Sequence, residues 1–273
     1  MAPANNNSKN TTHIDLSIQI SLNGLSFCIL QRENNTIQEL KHFSFEKKLT
    51  PFEVLDYLKV LFQKEDALKQ SFQSVLLIHN NELATLVPNS LFNEDSLADY
   101  LKFNTKILKS DFIAFDRIKS NDSVNVYVPY VNINNFIYDT FGTFTYKHFS
   151  TILIENVLAL SQANKKQVYA HLGIGRFEIL VVENNKLVLY NTFEFNSKED
   201  FIYYILFTFE QLELDPEKHH LFLLGNIEKD NALFSIAYKY VRNVSLGKRT
   251  MQFQFTASET AKEHSNFILT NSF

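Results

Sequence analysis

QVYAHLGIGRFEILVVENNKLVLYNTFEF, residues Gln167 to Phe195, holds three apolar runs punctuated by Gly173-Ile174-Gly175 and by Glu183-Asn184-Asn185. Glycine and asparagine tolerate the backbone angles of tight turns, so the stretch reads as three consecutive antiparallel strands. The two glycines are not a dinucleotide fingerprint. Glu178 fills the third glycine position, and a strand rather than a helix follows. Downstream, NSKEDFIYYILFTFEQLEL reads as a helix capped by Asn196 or Ser197, with acidic residues in its first turn. HLFLLGN, from His220 to Asn226, is then a short buried strand, followed by a helix from about Lys229 to Tyr240 and a strand near Val241 to Leu246.

The same order stands near the start of the chain. LSIQIS alternates polar and apolar residues, Leu22-Asn23-Gly24 supplies a turn, and LSFCILQ follows. A turn at Glu33-Asn34-Asn35 leads to TIQELKHFSF. Thr50, Pro51 and Glu53 form a helix start ahead of Val54, Leu55, Leu58, Leu61 and Phe62 at helical spacing. SVLLIHN, from Ser74, is the short buried strand. A unit of three strands, a helix and a strand thus occurs twice, beginning about 150 residues apart. Between the copies, Asp95 to Phe103 reads as a helix, SVNVYVPY as a strand, NINNFIYDTFG as a helix ending at Gly142, and TFTYKHFS as a strand. TILIENVLALSQANKK reads as a helix capped by Ser150 or Thr151 that joins the copies.

Composition bounds the function. The 273 residues suit two modest lobes. With 26 basic and 30 acidic residues there is no broad basic field, which disfavours nucleic acid as a partner. Cys28 is the only cysteine, so no internal disulfide and no multi-thiolate zinc site can form, and a reducing cytoplasmic location is expected. MAPANNNSKNTTH lacks the apolar core of a secretory signal and reads as a disordered lead-in. FIYYILFTF, Phe201 to Phe209, is far short of the ~20 residues that span a bilayer, so no membrane is expected as a partner. The excess of Phe and Asn carries no functional signal.

The duplicated unit with a helix between its copies resembles the actin-like ATPase superfamily: actin, Hsp70 chaperones, sugar kinases, and bacterial cell-division and pilus-assembly proteins. More narrowly, IDLSIQISLNGLSFCIL and HSNFILTNSF resemble a bacterial family of uncharacterised proteins with this fold. The resemblance implies an α/β fold of duplicated actin-like (ribonuclease H-like) βββαβ lobes around a central cleft. Residues 1–13 would be the lead-in, 14–150 the first lobe and 151–273 the second lobe with a C-terminal tail. In the superfamily, the turn between the first two strands of each lobe faces nucleotide phosphates as Asp-x-Gly. There the Asp holds the metal, and the Gly admits backbone N–H groups to the phosphates.

Carried onto this chain, the resemblance puts Gln19 at the first Asp position and Ser21 at the first Gly position. His171 stands at the second Asp position, while Gly173 keeps the glycine and Gly175 follows in the same turn. Gly225 alone survives from the glycines expected on the adenine side. A neutral amide and an imidazole are poor partners for Mg²⁺, which prefers oxygen anions. These six residues are the expected cofactor-binding positions, with no catalytic and no metal residue assigned.

Other side chains leave alternatives open. His171 is either a repurposed binding residue or a hydrogen-bonded strand-end histidine, and Arg176 either meets a phosphate or carboxylate or is a solvated hairpin residue. His219-His220 face opposite sides of a strand and would rarely share one ion. Cys28 reads as a buried thiol. FIYYILFTF is a core helix or a partner face, and HSNFILTNSF docks a partner or packs back on its own lobe. A Walker loop, HExxH, paired cysteines and a nucleophile elbow are all missing. The expectation is a non-catalytic actin-like binding or scaffolding module with a protein partner, a homodimer among the options, and no cofactor. The competing reading is an ATPase or kinase binding ATP with Mg²⁺ through non-standard carboxylates, for which Asp15 and Glu178 are the candidates.

Overall fold

A computed structural model of the chain describes residues 13–103, 105–256 and 262–273. The expected lead-in lies, except for His13, outside the described residues. Alternating residues and short turns give the first meander: β1 (Ile14–Ser21), β2 (Gly24–Gln31) and β3 (Thr36–Ser44). Leu22 and Asn23 form the first turn, and Gly24 already pairs with Ser21. Glycine is needed at 24 because a Cβ there would sit 2.6 Å from the Phe43 carbonyl oxygen on β3.

Thr50 caps α1 (Pro51–Lys64) in a capping box with Glu53, as the spacing predicts. Its buried Val54, Leu58 and Leu61 face the sheet, each worth roughly 1.5–3 kcal/mol in surface removed from water. β4 (Ser74–His79) then returns parallel to β1.

The chain next makes an excursion: β5 (Ala84–Pro88), α2 (Leu97–Leu101), β6 (Ala114–Ile118) and β7 (Ser123–Tyr127). The three strands form a separate small sheet in the order β5-β7-β6. Neither β5 nor β6 is legible in the sequence, and α2 is shorter than the expected Asp95–Phe103. α3 (Val131–Phe141), ending at Gly142, and β8 (Thr145–His148) complete the first lobe. α4 (Phe149–Leu160) is capped by His148, whose ring accepts from the Ser150 N–H, rather than by Ser150 or Thr151. It stops at Leu160, six residues before the expected end, because Ser161 turns to an extended conformation, its N–H closing the last turn on the Val157 and Leu158 carbonyls.

The second lobe repeats the plan: β9 (Lys166–Leu172), β10 (Arg176–Glu183), β11 (Lys186–Glu194), α5 (Lys198–Gln211, capped by Ser197), β12 (His220–Gly225), α6 (Ala232–Tyr240) and β13 (Asn243–Leu246). Asn231 caps α6, so it starts three residues later than Lys229. Where the first lobe spends residues 80–130 between β4 and α3, the second spends only 226–231 between β12 and α6.

The final segment departs from both expected readings. β14 (Gln254–Phe255) crosses to the first lobe and pairs with β3, and α7 (Phe267–Thr270) lies buried between the lobes. The sheet orders are β14-β3-β2-β1-β4-β8 and β11-β10-β9-β12-β13. One core lies beneath α1 and α3, and another beneath α5 and α6. A third is shared: α4 and α7 pack with Cys28, Leu30 and Ile78 of one sheet and Tyr169, Leu180 and Leu224 of the other. No helix among the described residues is long and apolar enough to cross a membrane.

Candidate functional site

Strand register makes the two lobes comparable residue by residue. In the first hairpin Ser21 opposes Gly24, and Gln19 opposes Ser26, which opposes His42. In the second, the Gly173 N–H donates to the Arg176 carbonyl at 2.9 Å, and His171 opposes Glu178, which opposes Thr192. Ser21 therefore corresponds to Gly173, Gln19 to His171, Ser26 to Glu178 and Gly24 to Arg176. On the inner strands Ile78 pairs with Gln19 and Leu224 with His171, so His79 corresponds to Gly225.

All six expected residues, Gln19, Ser21, His171, Gly173, Gly175 and Gly225, line one cavity of about 410 Å³ between the lobes. The topology brings them together because both hairpins and the ends of β4 and β12 lie at the same edge of the two sheets.

The row across the first hairpin is neutral. The Ser21 hydroxyl donates to the Gly24 carbonyl (2.9 Å) and accepts from the Asn23 N–H (3.2 Å), so it closes its own turn. Ser26 Oγ meets His42 Nδ1 at 2.6 Å, and His42 Nε2 meets Ser44 Oγ at 3.0 Å. Burial holds the His42 imidazole below its usual pKa, which favours the neutral ring.

The second wall is charged. Glu178 is only 2% exposed, with Oε2 at 3.2 Å from His171 Nδ1 and Oε1 at 3.4 Å from Arg176 Nε. The Arg176 guanidinium also donates to the Asn80 side-chain oxygen and lies 3.8 Å from Glu82 Oε2, both just beyond β4 of the opposite lobe. Burial pushes the Glu82 carboxyl up, but a backbone hydrogen bond together with Lys48 and Arg176 holds it below the usual range. Burial, and then the negative charge of Glu178, push the Tyr190 hydroxyl up. The Phe149 ring stands edge-on to His171 at 5.1 Å between centroids.

Gly225 closes the site behind His171. Its φ is +85°, and a Cβ there would lie 2.4 Å from the Leu172 carbonyl oxygen. Its N–H donates to the His264 carbonyl at 2.8 Å, which draws the C-terminal segment over the cavity so that Ser265 to Leu269 form a third wall.

Chemically, the cavity presents three carboxylates, Glu82, Glu178 and Glu194, and the first two already have partners. Glu178 is held by Arg176 and His171, and Glu82 by Arg176 and Lys48. No group of three or more His, Cys, Asp or Glu placed to hold a metal occurs among the described residues. Arg176 is the engaged residue rather than a solvated one, its side chain 20% exposed. Asp15 is paired with Arg32 at the opposite end of β1 from Ser21, away from the cavity. His219 Nδ1 accepts from the Asp215 N–H, whereas His220 Nε2 meets Ser245 Oγ at 2.7 Å, so the two rings serve separate structural contacts. Cys28 is fully buried in the shared core. In α5, Phe201, Ile202, Ile205 and Phe209 are buried, leaving Tyr203 and Phe207 exposed.

Sequence reasoning missed Ser26, His42, Lys48, Asn80, Glu82 and Tyr130 as cavity residues. Ser26 was within reach, since a two-residue turn at Leu22-Asn23 sets it opposite Gln19. Asn80 and Glu82 meet Arg176 only across the cleft, and no local pattern reports that.

Compared with known proteins, residues 3–244 match the model of the family described as "Protein of unknown function (DUF3822)". No curated protein matches the chain. Among solved structures, the chain is similar to a Bacteroides thetaiotaomicron VPI-5482 protein with an actin-like ATPase fold and unknown function. The TM-score is 0.78 at 23% identity, covering 96% of each chain. It is also similar to a chain of the PilM-PilN type IV pilus biogenesis complex (TM-score 0.62, 11% identity, 94% of this chain and 96% of that one). A third likeness is the cytoplasmic domain of EpsL, an inner membrane component of the type II secretion system of Vibrio cholerae (TM-score 0.50, 9% identity, 95% and 93%). At these identities the likenesses establish the actin-like fold.

Proposed function

Since the chain belongs to the DUF3822 family of proteins of unknown function and has an actin-like ATPase fold, we propose that it is a non-catalytic member of that architecture, a binding or scaffolding module with a protein partner. One observation carries the reading. Where the resemblance calls for metal-holding aspartates stand Gln19 and His171, and the adjacent buried carboxylate, Glu178, is held by His171 and Arg176. Phosphoryl transfer depends on a positioned metal and on charge stabilisation, so a carboxylate already neutralised by a guanidinium supplies neither. A protein partner fits the likeness to a chain of the PilM-PilN type IV pilus biogenesis complex. A second copy of the chain is the alternative partner, and a cytoplasmic location belongs to the same reading.

The test is thermal unfolding of the full chain with and without millimolar ATP or ADP and Mg²⁺, run beside a phosphate-release assay. A ligand at one hundred times its Kd adds ~2.7 kcal/mol, which for a chain of this size raises Tm by roughly 5 to 10 °C. The expected result is no shift and no phosphate. The competing ATPase or kinase reading rests on Glu178 standing one strand from the missing aspartate. A Mg²⁺-dependent shift together with phosphate release, both lost in Glu178→Gln, would establish that reading and overturn ours.

A further inference from the structure

The lobes are tied at three separate places. The first is the outer edge of β3, where β14 adds in parallel: Gln254 N–H donates to the Asn35 carbonyl (3.0 Å), and the Asn35 amide donates to the Gln252 carbonyl (2.6 Å). β14 belongs to the segment that leaves the second lobe after β13, so the second lobe's chain closes an edge of the first.

The second tie is its mirror. β2 and β3 carry a register shift that places Ile37 opposite Leu30, and β10 and β11 carry the same shift, which places Leu187 opposite Val182. Ile37 and Leu187 are thus equivalent. Ile37 lies at the β14 contact, and the Leu187 N–H donates to the side-chain oxygen of Asn121 (2.9 Å), which belongs to the first lobe's excursion. Each lobe caps the other's exposed edge at the same strand position, and unpaired strand edges are costly to leave open.

The third tie is Arg176, reaching from the second hairpin to Asn80 and Glu82 of the first lobe. Thr36 lies seven register steps along β3 from its hairpin end near Ser44, roughly 23 Å at the usual rise per strand residue. Two ties therefore lie at the end of the sheets away from the hairpins and the third at the hairpins. An axis drawn through any two leaves the third as a lever arm, so no hinge rotation spares all three. The shared core adds to this, as do the last residues of the chain: Ser272 Oγ donates to Ser17 Oγ (2.8 Å), and the Arg32 guanidinium lies over the Phe273 ring. Domain motion is the ordinary expectation unless an interface is large and apolar. Here it is apolar, and it is laced by hydrogen bonds at both ends.

We propose that the two lobes form one rigid body, so that the cavity is a receptor of fixed shape rather than a jaw that closes on its ligand. This goes beyond the loss of catalysis, since a cleft can lose turnover and still hinge. The test places spin labels on Lys59→Cys of α1 and Glu210→Cys of α5, both exposed, in the full chain, where buried Cys28 stays unlabelled. The inter-label distance distribution should be a single narrow peak, unmoved by millimolar Mg²⁺-ATP. Its width should at least double in the triple variant Arg176→Ala, Asn121→Ala, Gln254→Pro, the last removing the β14 N–H donor. Arg176→Ala alone, which unties only the mouth, should broaden the peak by less. A broad or double peak in the parent, or a nucleotide-dependent shift of its maximum, would overturn the proposal, and an unchanged width in both variants would overturn its assignment to the three ties. Phosphate release with an unmoved peak would refute the non-catalytic reading and leave the rigid body standing.

Discussion

The two cleft walls share a backbone and differ in chemistry. Gln19, Ser26 and His42 cross the first sheet as a neutral row, whereas His171, Glu178 and Thr192 cross the second at the same register with a buried carboxylate in the middle. The contrast extends one step along the inner strands, where the first lobe has His79 and the second Gly225. Duplication kept the hairpins, since both turns are needed to build the sheets. In the first lobe this row is satisfied by neutral hydrogen bonds, and in the second by an ion cluster that also grips its neighbour.

The largest consequence concerns pH. His79 and His148 are buried in the first lobe, and among the described residues no carboxylate is hydrogen-bonded to either ring. His79 meets Asn134 and the Tyr130 N–H, with Tyr127, Tyr130 and Tyr146 around it, while His148 meets Ser150 and the Asn81 carbonyl. Burial lowers His79 to about 4, and burial followed by repulsion from His79 lowers His148 to about 3. The unfolded chain takes up protons near pH 6.5 that the folded chain refuses. Stability is accordingly full above 6.5 and falls as pH drops through the window from 6.5 to about 4 for His79 and about 3 for His148. His79 alone should account for about 3 kcal/mol of the loss. Asp116, held above its usual range by burial, offsets part of it at the acid end. Urea unfolding between pH 7 and 4 should show the decline, and His79→Gln should flatten it; an equal slope in the variant would refute the assignment.

The next largest effect falls on the charged wall. Glu178→Ala leaves the partly buried Arg176 without its carboxylate, and breaking one side of a buried pair costs about 3 kcal/mol. Urea titration would measure it. A loss below about 1 kcal/mol would mean that Asn80 and Glu82 hold the guanidinium without Glu178, and the contrast between the walls would weaken.

Glycine substitutions test the backbone half of the comparison. At Gly225 an added Cβ meets the Leu172 carbonyl at 2.4 Å on a left-handed backbone, so Gly225→Ala should cost about 2 kcal/mol. At Gly173 the nearest atom lies 3.5 Å away, an ordinary contact, and Gly173→Ala should change stability by less than about 0.5 kcal/mol. Equal effects on Tm would break the claim that, of these two, only Gly225 is required by the fold.

What the sequence disclosed follows from the range of the forces involved. The hairpins, the Thr50 capping box, the short buried strands and the equivalence of Gln19 with His171 all rest on neighbours within a few residues, and the structure has them. β5 and β6 escaped because each is five residues long and half polar or partly exposed, with no clean alternation. The His148 cap escaped because an imidazole cap lacks the usual signature of Ser, Thr, Asp or Asn. The long-range polar contacts escaped for another reason: Arg176 to Asn80 at the cavity spans 96 positions, and Thr256 to Gln38 beside β14 spans 218. Glu178 was visible as a candidate carboxylate, yet its engagement by His171 appears only once the register of β9 and β10 is fixed.

Ser26→Ala is the most direct test of the contrast, because Ser26 occupies the position that Glu178 holds in the other lobe. It removes one neutral hydrogen bond, to a His42 ring that keeps a second partner in Ser44. The net worth of such a bond is about 1 kcal/mol, and the ring stands partly open to the cavity, where water can replace the lost hydroxyl. The expected loss is therefore about a third of that for Glu178→Ala, read in the same urea titration. Should Ser26→Ala cost as much as Glu178→Ala, the first wall would be as finely built as the second. Its Ser-His pair would then be the better place to look for a ligand, and the idea that only the second lobe retains a structured site would fall.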